Sequence, residues 1–340
     1  MRKIIATIIL FSHLTCLPFN FISNKTKEGS LSPAFLAEIV QTFKPDIFIE
    51  TGTYYGGSTI RAASYFKEIY SVELDHKLYQ EAKSRTASYK NIHLYHGESS
   101  QFLSAIIPQC KGTIVFWLDA HYCGEKTAMA KNNPNDPEAI TPIRNELKTI
   151  AQQKLNDCII LIDDIRGFGT EINGTEYFGC WAYPCVQSIC SLGREINPNF
   201  AFVLLGDTLL MYDATKYSPL FSPVVMACTK SRFYNGKNLD NQELIECEKI
   251  IMNASTAEKE FITYLYNQTT SYHDPVFCHD LWYGLINMGS GHWQEAAKAI
   301  KKIPTRVQTF NRCRETINEP IYYDDQRIKD YLMQIEQQLS

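Results

Sequence analysis

Apolar residues fall in short continuous blocks over the first two thirds of the chain and at helical spacing over the last third. Ser32-Pro33 places a capping hydroxyl and a first-turn proline ahead of a segment that runs to Phe43, which predicts a helix stopped by Lys44-Pro45. Residues 46–50, 69–73, 92–96, 113–118 and 158–162 are apolar runs of strand length. Helices are predicted between them at about 58–66, 77–88, 100–107 and 141–155. Continuous apolar strands alternating with helices imply a parallel sheet covered on both faces. Residues 200–205 and 208–212, joined by Gly206-Asp207, read as an antiparallel hairpin. The expected fold is α/β, with a doubly wound, mostly parallel seven-stranded sheet that ends in this hairpin.

The two ends of the chain differ from the middle. From about 238 to 266, Leu244, Ile245, Ile250, Ile251, Phe261 and Leu265 recur at helical spacing. Residues 279–304 read as a helix-turn-helix hairpin that resembles one tetratricopeptide (TPR-like) unit, with Gly284, Gly291, Ala296 and Pro304 near the expected places. A single unit has no stacked neighbour to bury its faces, so a helical cap on the main domain is the plainer reading. The region is also a candidate surface for a protein partner. At the start, Arg2 and Lys3 precede an apolar run that reaches Phe21, the form of a signal peptide or signal anchor. Residues 4–22 are just long enough to cross or contact a membrane, and a buried helix is the alternative. The expected organisation is a hydrophobic signal or anchor segment at 1–23, a main domain at 24–235 and a helical C-terminal region at 236–340.

Composition narrows the class. Of 340 residues, 45% are hydrophobic, which excludes a chain dominated by disorder. The formal net charge of −4 argues against a general nucleic-acid binder, and no nucleic-acid partner is expected. The 11 cysteines are an odd number, so at least one thiol has no partner within the chain. Cys180, Cys185 and Cys190 are five apart, which is not zinc spacing; a local disulfide and buried thiols are both open.

Ligands of open α/β sheets bind at the carboxyl ends of the strands, and here every such end carries an acid. Strand one leads into Glu50-Thr-Gly52-Thr-Tyr54-Tyr-Gly56-Gly-Ser58-Thr, strand two ends in Glu73-Leu-Asp75, and strand three in His96-Gly97-Glu98-Ser99. Strand four ends in Asp119-Ala-His121 and strand five in Asp163-Asp164. The glycines let backbone approach a ligand closely. Glu50 stands where a pyrophosphate site would want no negative charge. A carboxylate there suits a cationic ligand without phosphates, Glu73 suits ribose hydroxyls, and Glu98 suits an adenine amino group. That combination describes S-adenosylmethionine.

These ordered motifs resemble those of class I S-adenosylmethionine-dependent methyltransferases over roughly residues 32–225, with the Rossmann-like sheet of that class. The resemblance implies cofactor contacts from Glu50, Gly52, Tyr54, Gly56, Ser58, Glu73, Glu98, Ser99 and Asp119. One departure is Glu98, where Asp is more usual. The acids of strands four and five resemble the divalent-metal-dependent O-methyltransferases of the catechol and macrolide- or sugar-modifying types. By that resemblance Asp119, Asp163 and Asp164 are the expected ligands of Mg2+. The cation would acidify a substrate hydroxyl, with Asp119 and His121 as catalytic residues and His121 as general base. The expected acceptor is a small-molecule or glycan hydroxyl.

Plainer readings stand beside these. Asp163-Asp164 suits a helix cap, His121 suits a structural histidine, and Tyr54 and Tyr55 suit a cover for the sheet edge. Residues 122–140 form a long polar loop beginning at His121, the position of a substrate lid. A non-catalytic, exported or membrane-tethered interaction protein on the same scaffold is the alternative function. The N-terminal segment points to export or membrane association, whereas the cofactor points to the cytoplasm.

Overall fold

The computed structural model of the chain describes residues 31–122, 127–128, 136–155, 157–172, 175–179, 182–205, 208–217, 221–233, 241–268, 277–304 and 325–340. Helix α1 (Pro33–Phe43) starts where Ser32 Oγ accepts from the Phe35 N–H at 3.2 Å and ends on Lys44 in the left-handed conformation. Then follow β1 (Ile47–Thr51), α2 (Gly57–Ala62), β2 (Glu68–Glu73), α3 (His76–Thr86), β3 (Ile92–His96), α4 (Ser99–Ile106) and β4 (Ile114–Leu118). After β4 come α5 (Pro137–Ile140), α6 (Ile143–Ala151) and β5 (Cys158–Ile162). A small hairpin of β6 (Thr170–Ile172) and β7 (Thr175–Tyr177) precedes α7 (Val186–Ile196), β8 (Phe200–Leu205) and β9 (Thr208–Asp213).

The seven-stranded sheet has the order β3-β2-β1-β4-β5-β9-β8. The first five strands are parallel and β8 and β9 form an antiparallel hairpin, as the apolar pattern implies, with β9 lying between β5 and β8. The turn residues Gly206 and Asp207 lie outside the described residues. Register decides what the edge presents. Thr51 pairs with Leu118, and Leu118 with Ile162. The residues that follow, Gly52, Asp119 and Asp163, therefore emerge side by side.

Alternation along the strands divides the core into two layers. Ile47, Ile49, Ile114, Phe116, Ile160 and Ile162 face α4, α6 and α7, packing on Leu103, Leu147 and Ile189. Phe48, Val115, Trp117, Ile159 and Leu161 face the other way, onto Phe35, Leu36 and Ile39 of α1. Every residue of β1, β4, β5 and β9 is buried, which is why these strands read as unbroken apolar runs.

The C-terminal region is helical: α8 (Pro223–Phe233), α9 (Asn241–Met252), α10 (Thr256–Gln268), α11 (Phe277–Gly289), α12 (Trp293–Ile300) and α13 (Asp325–Leu339). Its own core gathers Ile251, Ile262, Trp282, Leu285, Ile300 and Ile335. Helix α8 serves both cores, with Val225 in the sheet layer and Val224, Ala227 and Cys228 in the helical one. The predicted hairpin at 279–304 is present as the packed pair α11 and α12.

Three predicted boundaries shift. The helix expected at 58–66 ends at Ala62. The helix expected at 141–155 spans only Ile143–Ala151, capped by Pro142. The run expected at 238–266 is two helices. Ser255 starts the second: its N–H and hydroxyl donate to Glu258 Oε2 at 2.8 and 2.6 Å, a capping box that ends one helix and begins the next. Among the described residues no helix is long and apolar enough to cross a membrane. The expected segment 1–23 and the expected boundary at 235 lie outside the described residues. Cys185 and Cys190 are buried free thiols, and Cys180 lies outside the described residues.

Candidate active site

The turn after β1 is built from unusual backbone. Gly52, Tyr54 and Gly56 have φ of 84°, 50° and 74°. A Cβ on Gly52 would stand 2.5 Å from the Asp119 carbonyl oxygen, so only glycine lets this turn lie against the end of β4. The strand ladder carries on past the strand ends. Asp119 N–H donates to Thr51 O at 3.1 Å, Asp163 N–H to Leu118 O at 3.2 Å, and Gly97 N–H to Glu73 O at 3.0 Å. Backbone bonding thus fixes the positions from which the acids project.

A cavity of about 340 Å3 opens along this edge. Gly52, Tyr54, Glu73, Glu98, Ser99, Asp119 and His121 line it, opposite Ala139, Ile140 and Pro142. Its lining includes three carboxylates and, among the described residues, neither lysine nor arginine. That set fits a cation without phosphate groups and fits a dinucleotide poorly. S-Adenosylmethionine, with a sulfonium, a ribose and an adenine, meets this requirement.

Of the expected cofactor residues, Gly52, Tyr54, Glu73, Glu98, Ser99 and Asp119 reach the cavity, while Glu50, Gly56 and Ser58 are not in its lining. Glu50 lies beneath the turn, fully buried. Its Oε2 accepts from Thr59 Oγ1 at 2.5 Å and Ser71 Oγ at 2.6 Å, and Oε1 is buried without a hydrogen-bond partner. Burial pushes this carboxyl above the usual range, and the Ser58, Ser71 and Thr59 hydroxyls pull the other way. Glu73, at the last position of β2, holds the turn directly. It accepts from Tyr54 N–H at 2.7 Å and Asp75 N–H at 2.8 Å. Its carboxyl is also raised by burial, against the pull of those N–H groups. Glu98 is the N-cap residue of α4; its side chain bonds no backbone N–H of the first turn and accepts from Ser100 Oγ within it.

The expected metal trio is regrouped. Asp119, His121 and Asp164 offer ligand atoms that all lie within 4.8 Å of one another. Asp163 is not in that group; its Oδ1 accepts from Asp164 N–H at 2.9 Å. Asp164 has φ 58°, an uncommon conformation for a residue with a side chain. Only a short turn, Ile165–Gly167, follows it, and Asp164 gives that turn no side-chain cap, so the helix-cap alternative does not describe it. His121 sits at the centre. Its Nε2 is 3.2 Å from Asp164 Oδ2, and its Nδ1 is 3.6 Å from Asp119 Oδ1 and 3.2 Å from Tyr183 Oη. Tyr183 is buried against Phe168; nothing in its sequence surroundings announced it. Two carboxylates and an imidazole form a donor set that a divalent ion fits.

The far wall is tied down by a charged pair. Arg144 on α6 donates to Glu176 of β7 and to Ser188 Oγ of α7, the latter at 3.2 Å. Glu176 also accepts from Cys185 N–H at 2.8 Å, and hydrogen bonds from that N–H and from Arg144 hold its carboxyl below the usual range against the opposing effect of burial. Within the loop expected at 122–140, residues 123–126 and 129–135 lie outside the described residues.

Comparison with known proteins gives a match over part of the chain. Residues 32–125 match the family model described as rhamnosyl O-methyltransferase/CmcI. Among solved structures, an S-adenosylmethionine-dependent methyltransferase of Clostridium acetobutylicum ATCC 824 is 12% identical, with a TM-score of 0.36 over 56% of this chain and 94% of that one. The S-adenosylhomocysteine-bound methyltransferase PaMTH1 of Podospora anserina is 16% identical, with a TM-score of 0.32 over 54% of this chain and 78% of that one. No curated protein matches the chain. The sheet order and site, with the family match, support a class I S-adenosylmethionine-dependent methyltransferase. Within that class, residues 32–125 resemble the O-methyltransferases.

Proposed function

We propose that the chain methylates a hydroxyl of a small molecule or sugar, assisted by a divalent cation held by Asp119, Asp164 and His121. The observation that carries this reading is the meeting of those three side chains within 4.8 Å, with Asp119 and His121 lining the cavity. When bound, the cofactor supplies a methyl group on a sulfonium and the cation supplies acidification of a coordinated hydroxyl. The chain's own contribution is positional. Glu73 and Tyr54 shape the turn around the cofactor, and Glu98 and Ser99 bound its adenine side. Asp119 lines the cavity and belongs to the ion group, so acceptor and methyl donor are brought together there. The sugar acceptor is favoured by the rhamnosyl description of the matching family.

His121 takes the ligand role that Asp163 was expected to fill. Calorimetry decides this. His121→Gln should weaken Mn2+ binding at least tenfold and leave S-adenosylhomocysteine binding in place. Unchanged ion affinity with kcat lowered about 10²–10⁴-fold would return His121 to the role of general base. Failure of the unmodified chain to bind S-adenosylhomocysteine at millimolar concentration would remove the enzyme reading and leave the non-catalytic interaction protein.

A further inference from the structure

Glu146 of α6 is fully buried, and neither of its carboxyl oxygens has a hydrogen-bond partner. Thr51 Oγ1, at the end of β1, and Ser99 Oγ, at the start of α4, are likewise buried and unsatisfied. Both hydroxyls act on the Glu146 carboxyl, so four unsatisfied polar atoms from three elements share one place. Buried polar groups are nearly always paired, and either protonation state can pair here: a carboxylate accepts from both hydroxyls at the cost of a buried charge, and a carboxylic acid pairs without that charge. A carboxylate facing two hydroxyls can only accept, whereas a carboxylic acid also donates.

The cluster lies behind the cofactor cavity. Ser99 lines that cavity, as do Ala139, Ile140 and Pro142 just ahead of α6. The Glu146 N–H donates to Pro142 O at 3.0 Å, so the residue joins both walls. We propose that Glu146 is a positioning residue for cofactor binding, which as an uncharged carboxylic acid holds the Glu98-Ser99 turn and the 139–142 wall together. This rests on the reading of the cavity as the S-adenosylmethionine site.

The surroundings favour the protonated form. Burial pushes the Glu146 carboxyl up to about 7, and the charges of Glu138 on α5 and Glu98 at the cap of α4 act in the same direction. The hydroxyls of Ser99 and Thr51 oppose this only in part. On the side of α7, Ser188 and the nearby Glu176 bond Arg144 instead, and Arg194 and Glu195 are exposed. Ionisation would leave a buried negative charge close to two others, relieved only by water entering between the walls.

The test is calorimetric titration of the full chain with S-adenosylhomocysteine between pH 5.5 and 8.5. The expected result is a Kd that rises about tenfold from pH 6 to pH 8 as the acid ionises, with Glu146→Gln, which keeps a donor and the volume, abolishing that slope. A flat profile in the unmodified chain, or the same slope in Glu146→Gln, overturns the proposal. If circular dichroism shows that the variant does not fold, the unmodified chain decides the matter through proton uptake on binding at pH 7.5, measured in two buffers of different ionisation enthalpy. Uptake supports the proposal and its absence overturns it. No binding at any pH overturns the cofactor reading itself, and this proposal with it.

Discussion

A one-residue shift accounts for the largest difference between expectation and structure at the site. Reading the first strand as 46–50 put Glu50 at the strand end, facing the ligand. Strand β1 ends at Thr51, which leaves Glu50 inside the sheet and beneath the turn. Glu73, by contrast, is the last residue of its strand and reaches the cavity. The types of residue needed were legible, because acids at strand ends and glycines in a turn are local signals. Which acid faces the ligand depends on where the ladder stops, which is a tertiary property. The glycine prediction is sharper. Gly52→Ala forces a side chain into φ 84° and against the Asp119 carbonyl. An unfolding titration in urea should show a loss of about 1–3 kcal/mol or more, accompanied by loss of S-adenosylhomocysteine binding. Retention of both would mean that the turn does not need the approach seen here.

At the scale of elements, the parallel strands were legible for a physical reason. Both faces of β1, β4 and β5 are covered, so the strands carry no polar alternation that could be mistaken for an exposed sheet. The grouping of Asp119, His121 and Asp164 was less legible, because it needs two strand ends and the left-handed turn at Asp164 to be set in space. Tyr183, whose hydroxyl reaches His121 across 62 positions of sequence, carried no local signal. The division between α9 and α10 was encoded as Ser255-Thr-Ala-Glu258 and was hidden by the apolar spacing on either side. In the α11–α12 pair, a Cβ on Gly284 would lie 2.5 Å from Ile300 Cγ1, near the base of that side chain. Gly284→Ala should therefore lower thermal stability through overpacking, by about 1–3 kcal/mol, with little change in S-adenosylhomocysteine affinity. A loss of affinity in a variant of unchanged stability would tie this helix pair to the cofactor site instead.

Across the whole molecule, α8 sets how the two cores behave together. Sequence spacing suggested a main domain followed by a helical appendage, as though the second were merely added to the first. Helix α8 instead puts Val225 into the sheet layer and Val224, Ala227 and Cys228 into the helical core. Unfolding either core exposes apolar surface on this one helix, at a cost of roughly 25 cal/mol per Å2, which couples the two. Trp117 lies in the sheet layer and Trp282 in the helical core, both nearly fully buried. Variants that keep only one of these tryptophans, the others replaced by phenylalanine, should unfold in urea at the same midpoint whichever one reports. That midpoint should also match the one from circular dichroism, as for a single cooperative unit. A lower midpoint for Trp282 than for Trp117 would show instead that the helical region opens first and α8 belongs with the sheet. S-Adenosylhomocysteine should then raise the Trp117 midpoint alone, whereas in the coupled molecule it raises both by the same amount.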